Sequence, residues 1–419
     1  MVGLMMNNRF RFLKFLFTVT FFINSYISAL ASSSKSGHVL VLYTGGTIGG
    51  LTNPDNPSTY TAGAIQSGEA ILQEIEFFKD KIKNKSVIVQ DVFETPIDSR
   101  DFDNEHWQIL ANAIQTALDT PRVEGIIIMH GTDTLELTLT LFRGMFNLRF
   151  PIVYTGAMRP ADSKEGPDGP KNLVNAFKLI EKLLVDLSSP STKNRSLQGR
   201  DESSKDSAIT HHHHQHSGSE MLVYSVLGKQ ISNSSESTKV GLKHYNGSNE
   251  RQTSGEVSPR ITLHSKVPSL EDLSLVSVPP FDYKKIRFLP KVAIVDVGPL
   301  FDIKILLSAL NDPDIKGIIV QAMGDGTLSI NVKDCLSTYK KTTDLKPMIR
   351  CSYVPIQIST AEEEGVVNAC PDDNEYRCVP AKKLTANKAA IVLSKVIQKY
   401  HEQLLTLETL QFWVDYHCF

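Results

Sequence analysis

The sequence predicts an α/β protein with a larger N-terminal doubly wound parallel-sheet domain and a smaller C-terminal α/β domain. Three observations predict it. From residue 38 onward, short apolar runs alternate with segments of helical periodicity. The runs at 39–43 and 125–129 are unbroken in apolar or small residues and read as buried strands. Both end in turns bearing glycine and threonine, at the strand ends where open α/β sheets bind ligands.

The elements follow in order. The first strand feeds Thr44-Gly45-Gly46-Thr47-Ile48-Gly49-Gly50, a turn whose glycines permit positive φ and close approach of a ligand. A strand spans 87–93, and Asp103 reads as the N-cap of a helix from 104 to about 118, with Trp107, Leu110, Ala111 and Ile114 on one face. The strand at 125–129 runs into His130-Gly131-Thr132-Asp133-Thr134 and then a helix expected to reach about 147. A strand at 151–154 leads into Thr155-Gly156-Ala157-Met158-Arg159-Pro160; a helix at 172–185 and a strand at 221–227 follow.

These elements define a first domain over 38–255, broken at 187–219 by a segment rich in Ser, Lys and Asp that reads as a disordered surface insertion. It holds the His211–His214 run and His216, but no cysteine or carboxylate framework turns them into a metal site. Residues 256–290 read as a linker. The second unit, 291–419, shows strands at 292–297, 317–322 and 348–354, a helix at 302–310 and a closing helix at 387–405.

Acidic and basic residues nearly balance, leaving a net charge of −2, so no field recommends nucleic acid or an anionic membrane surface as a partner. The start differs from the rest. Arg9, Arg11 and Lys14 precede an apolar stretch from 15 to 30 that ends in Ala29-Leu30-Ala31, the pattern of a signal peptide over 1–31 and hence of a secreted or secretory-pathway protein. Four Asn-x-Ser sequons, at Asn84, Asn194, Asn233 and Asn246, fit a glycoprotein. The five cysteines all lie late in the chain, and Cys370 with Cys378 is the best candidate pair; five reduced thiols are the alternative.

A threonine hydroxyl is a weak nucleophile that needs a base or polarising neighbour and an oxyanion pocket. Thr47 sits among backbone N–H groups, and Asp133 follows Thr132 where a carboxylate would orient a lysine base. Bland readings exist for both turns: glycine-rich strand-to-helix turns are common, and Gly-Thr-Asp also serves as a helix cap.

The motifs together resemble the bacterial-type L-asparaginase/glutaminase family. Thr44-Gly45-Gly46-Thr47-Ile48-Gly49 is similar to its first signature and His130-Gly131-Thr132-Asp133-Thr134-Leu135-Glu136 to its second. The runs 155–160 and 168–176 are similar to the segments that follow, so the likeness covers most of 38–180 and thins beyond. The resemblance implies Thr47 as nucleophile, Tyr60 as the lid-loop tyrosine over it, and Thr132 with Asp133 as the second threonine and its carboxylate. It implies Asp98-Ser99 as the pair holding the substrate's α-amino and α-carboxylate groups. Lys239, in Thr238-Lys239, fits the lysine position best, with Lys243 as the fallback.

The implied activity is hydrolysis of L-asparagine to L-aspartate and ammonia, with no metal or organic cofactor and with L-glutamine as a further candidate substrate. A homodimer or homotetramer is implied, with Gly324-Asp325-Gly326-Thr327 resembling the smaller-domain loop that reaches an adjacent site, and Glu362, Glu363 and Glu364 near the position of a glutamate supplied by a neighbouring subunit. Arg100 departs from the pattern: it puts a bulky cation beside the substrate-binding pair. The alternatives are a glutaminase-asparaginase of mixed specificity and an inactive family member acting as a binding protein. A phosphate-binding domain is disfavoured because 45–50 lack the G-x-G-x-x-G spacing and no Gly-Lys-Ser/Thr follows. The amidase subunit of tRNA-dependent amidation is disfavoured by the charge balance.

Overall fold

The structure, a computed structural model, describes residues 37–188, 222–233, 239–241, 244–245, 255–258, 260–263, 279–341, 345–353, 367, 370 and 373–418. The expected signal peptide, nearly all of the insertion, Asn194, Asn246, Lys243 and Glu362 to Glu364 lie outside the described residues. Among those described, no helix is long and apolar enough to cross a membrane.

The first unit is built on an eight-stranded sheet ordered β12-β11-β8-β7-β6-β5-β1-β4. Its parallel half comprises β4 (Val87–Asp91), β1 (His38–Tyr43), β5 (Val123–Met129), β6 (Ile152–Thr155) and β7 (Val223–Leu227). Along these strands successive side chains point to opposite faces, and both faces are covered, which is why the runs read as continuously apolar. Leu40, Leu42, Ile126, Ile128 and Tyr154 enter one core with α3 (Asn104–Asp119) and α4 (Leu135–Phe142). Val39, Val41, Tyr43, Ile127, Met129 and Val153 enter the other, with α1 (Gly68–Gln73), α2 (Glu76–Lys83) and α5 (Gly169–Ser188).

The helix α3 begins where the sequence places it, because Asp103 accepts the N–H groups of Glu105 and His106 at 2.9 and 3.0 Å in a capping box. The helix α4 stops at Phe142 rather than near 147, since the chain turns through Gly144 at φ 72°.

The sheet also extends into the expected linker. Strand β8 (Gln230–Asn233) pairs antiparallel with β7, and β11 (Gly255–Ser258) and β12 (Arg260–Leu263) add to that edge. Residues 255–258 and 260–263 therefore contribute to the first sheet, with Val257, Ile261 and Leu263 packed on its second core.

The smaller unit carries a four-stranded parallel sheet, β13 (Lys291–Asp296), β14 (Ile315–Ala322), β15 (Met348–Ser352) and β16 (Cys378–Pro380). On one face lie α6 (Ile303–Asn311) and α7 (Ile330–Lys340). The closing helix is two helices: α8 (Ala386–Lys399) ends at Tyr400, and α9 (Leu407–Cys418) restarts after Thr406, whose hydroxyl accepts the Thr409 N–H at 3.1 Å. Both join the first unit's core; Ala389, Val392, Leu393, Val396, Trp413 and Val414 belong to the same apolar cluster as α3 and α4.

All five cysteines are free, Cys370 and Cys378 included. That turn is closed by hydrogen bonds instead: Asp373 accepts the Cys370 N–H on its carboxylate at 2.7 Å and the Cys378 N–H on its carbonyl at 2.9 Å, while Arg350 pairs with its carboxylate at 2.7 Å.

Candidate active site

Three loops leave the carboxyl ends of β1, β4 and β5 and meet backbone to backbone. Gly45 and Gly46 take φ of 116° and 82°, which L side chains rarely adopt. The Gly46 N–H donates to Ile97 O at 3.0 Å and the Ile97 N–H to Thr44 O at 2.9 Å, stitching the first loop to the second. A Cβ on Gly46 would lie 2.5 Å from Gly131 Cα, and one on Gly131 would lie 2.7 Å from Ser99 Cβ. Only glycine allows this convergence.

Thr47 opens a short 3-10 turn, Thr47–Gly49, and is 7% exposed. Its Oγ1 lies 2.9 Å from the Tyr60 hydroxyl. Tyr60 comes from the hairpin β2 (Leu51–Asn53) and β3 (Asn56–Thr61), where it pairs with Thr52, and it is 42% exposed. Asp162 clasps the hairpin base: its Oδ1 accepts both the N–H and the hydroxyl of Thr52 at 2.8 Å. Asp162 was not singled out by the sequence, where it is one acid in a polar turn.

On the second loop, Asp98 caps the 3-10 turn Ser99–Asp101, accepting Arg100 N–H at 3.2 Å on Oδ1 and Arg100 Nε at 2.8 Å on Oδ2. Ser99 is buried against the third loop, its carbonyl accepting the Thr134 hydroxyl at 2.8 Å. On the third loop Thr132 is buried and Asp133 exposed.

A buried chain of donors holds this third loop. Trp107 Nε1 donates to Thr138 Oγ1 at 2.9 Å, and Thr138 lies 3.0 Å from His130 Nε2. His130 Nδ1 lies 2.7 Å from Gly131 O. Burial holds the His130 imidazole near a pKa of about 4, so it is neutral, with Nδ1–H donating to Gly131 O and Nε2 accepting from Thr138. Beyond the loops, the Asn172 carboxamide bridges the ends of β6 and β7, donating to Gly156 O and accepting the Gly228 N–H, both at 2.9 Å. Asp168 accepts the N–H groups of Met158 and Arg159 at 3.0 and 2.9 Å and fixes the turn after β6.

The structure thus brings Thr47 and Tyr60 into contact and ties Ser99 on the second loop to Thr134 on the third. Lys239 falls on a two-stranded ribbon, β9 (Lys239–Gly241) with β10 (His244–Tyr245), separate from the eight-stranded sheet, and its side chain lies outside the described residues. Among the described residues no group of His, Cys, Asp or Glu has the arrangement of a metal site.

Residues 38–186 match the sequence model of the family described as Asparaginase, N-terminal. The chain carries an asparaginase-family N-terminal domain over these residues. It is 27% identical to a probable periplasmic L-asparaginase of Haemophilus influenzae over 89% of this chain and 95% of that protein. It is 28% identical to L-asparaginase 2 of Escherichia coli over 85% and 87%. A Pseudomonas aeruginosa glutaminase-asparaginase reaches 37% identity, but over only 35% of this chain and 39% of its own length. The crystal structure of a probable cytoplasmic L-asparaginase from Campylobacter jejuni shares the fold with a TM-score of 0.67, covering 90% of this chain and 99% of that one at 23% identity.

Proposed function

We propose that this chain hydrolyses L-asparagine to L-aspartate and ammonia through a threonine nucleophile. The observation that carries the reading is the 2.9 Å contact between Thr47 Oγ1 and the Tyr60 hydroxyl, made on a turn walled by two other loops. Support at the level of linear-amide hydrolysis comes from the L-asparaginase and glutaminase-asparaginase relatives.

In this reading Thr47 Oγ1 attacks the side-chain carboxamide carbon and passes its proton through Tyr60. The C–N bond breaks, and the leaving nitrogen departs as ammonia after taking up a proton. Water, activated by Thr132 and Asp133 with the lysine assigned to Lys239, then cleaves the acyl ester and returns the proton to Thr47. Asp98 and Ser99 hold the substrate's amino and carboxylate groups. L-Glutamine is longer by one methylene, a difference a pocket resolves by about 1–3 kcal/mol, so mixed asparaginase-glutaminase activity is the second reading.

Ammonia release by the purified protein with L-asparagine and with L-glutamine, beside Thr47→Ala, tests this. Turnover of asparagine that the substitution abolishes is the expected result. Turnover that survives it removes Thr47 as nucleophile, and none with either amide in folded protein leaves a binding protein.

A further inference from the structure

The turn that carries Asp98 also carries a side chain that already answers its charge. Asp98 Oδ1 takes the Arg100 backbone N–H at 3.2 Å, and Oδ2 takes Arg100 Nε at 2.8 Å and Nη2 as well. A carboxylate offers about four lone-pair directions, so Arg100 alone fills most of them. The turn makes this local: Asp98 caps Ser99–Asp101, which starts the Arg100 side chain beside the carboxylate.

Arg100 does not simply lie on the outer surface. Asp98, Asp133 and Tyr60 all act on its charge, and the Tyr60 hydroxyl is the one that touches Thr47. The guanidinium is therefore held by the second loop and lies within electrostatic reach of the third loop and the hairpin. The Arg100 side chain is 64% exposed and that of Asp98 17%, so the guanidinium N–H groups that Asp98 does not engage are open to solvent.

The geometry points to Arg100 as the residue that widens the substrate class: it competes with a substrate's α-ammonium group for Asp98 and offers its outer N–H groups to a carboxylate, so that ω-amides of dicarboxylic acids whose amino group is absent or acylated are accepted beside L-asparagine. This rests on the amidohydrolase reading. An ammonium approaching Asp98 meets a carboxylate already neutralised and a cation at its side. A substrate without that charge meets no such repulsion, and its carboxylate gains a planar fork suited to bidentate pairing.

The test is calorimetric binding of L-aspartate and of succinate, which is aspartate without the ammonium, to the full chain, Arg100→Gln and Arg100→Lys. Arg100→Gln is expected to tighten L-aspartate at least about fivefold and to weaken succinate, with Arg100→Lys between the two, having charge but no fork. Unchanged relative affinities in Arg100→Gln overturn the inference, as does failure of either ligand to bind any of the three proteins. Ammonia release is measured alongside with L-asparagine, succinamate and Nα-acetyl-L-asparagine. Shifted affinities with no release from any amide remove the hydrolase reading and leave Arg100 selective. Release with unshifted affinities does the reverse.

Discussion

The Tyr60 hydroxyl stands 2.9 Å from Thr47 Oγ1, yet the two residues reach that contact from opposite circumstances: Thr47 is locked in a buried turn, while Tyr60 rides an exposed hairpin held at its base by Asp162. Tyr60→Phe removes the hydroxyl and little packing. The expected result is a fall in kcat of about 10² or more with L-asparagine, the size of a lost proton-transfer partner, with stability changed by less than about 0.5 kcal/mol. Steady-state kinetics beside urea unfolding check it; a variant with wild-type kcat removes Tyr60 from the chemistry.

Gly131→Ala separates loop geometry from folding. The added Cβ would lie 2.7 Å from Ser99 Cβ and 3.1 Å from Ser99 N, so the third loop has to move away from the second. The strain is about 1–3 kcal/mol. Activity is expected to fall by far more than that stability loss suggests, because Thr132 and Asp133 move with the loop. A folded variant retaining wild-type kcat/KM shows that the close approach is not needed.

Lys395 ties the two units together. Its ammonium donates to Thr140 O at 3.2 Å and Arg143 O at 2.8 Å, at the end of α4, and lies 3.0 Å from His417 Nε2. Lys395→Met keeps the stem but strands these buried acceptors. The expected loss is about 2–4 kcal/mol by denaturant unfolding. A loss below about 0.5 kcal/mol shows that the apolar contacts of α8 alone hold the units.

Acid should weaken the fold through His130. Its folded pKa of about 4 lies below its ordinary value of 6.5, so the unfolded chain binds the proton more readily. The stabilisation is fully present above pH 6.5 and is lost as pH falls through about 4, amounting to about 3 kcal/mol from this group. Burial and the nearby Lys395 charge depress His417 in the same direction. Unfolding free energies from pH 7 to pH 4 should decline in the wild type and more gently in His130→Gln; parallel slopes in the two proteins count against the assignment.

What the sequence reveals and what it hides divides along chain separation. The turns at 44–50 and 130–134 are legible because a glycine that needs positive φ or close approach leaves a mark at its own position, and the strands before them are legible because burial on both faces makes apolar runs. Asp103 is legible as a cap for the same local reason. Lys239 leaves no such mark, because the family likeness thins after residue 180 and the residue stands on a ribbon separate from the main sheet. Lys395 and Arg350 look like surface cations in the sequence; their partners, Arg143 O far upstream and Asp373 across a turn, appear only when the chain folds. The edge strands at 255–258 and 260–263 hide because their apolar residues are few and the strand they pair onto, β8, lies more than twenty residues upstream.

The packing of α8 and α9 into the first unit's core has a consequence for biosynthesis. Every residue on the three site loops is translated long before 386–418, yet the apolar cluster that α4 shares with the sheet and α3 is completed only when those late helices add to it. During elongation the nascent chain holds its reactive loops on a half-roofed hydrophobic surface, a target for chaperones that recognise exposed apolar helix faces. Maturation of the site is thereby timed to the end of translation rather than to the completion of its own sheet.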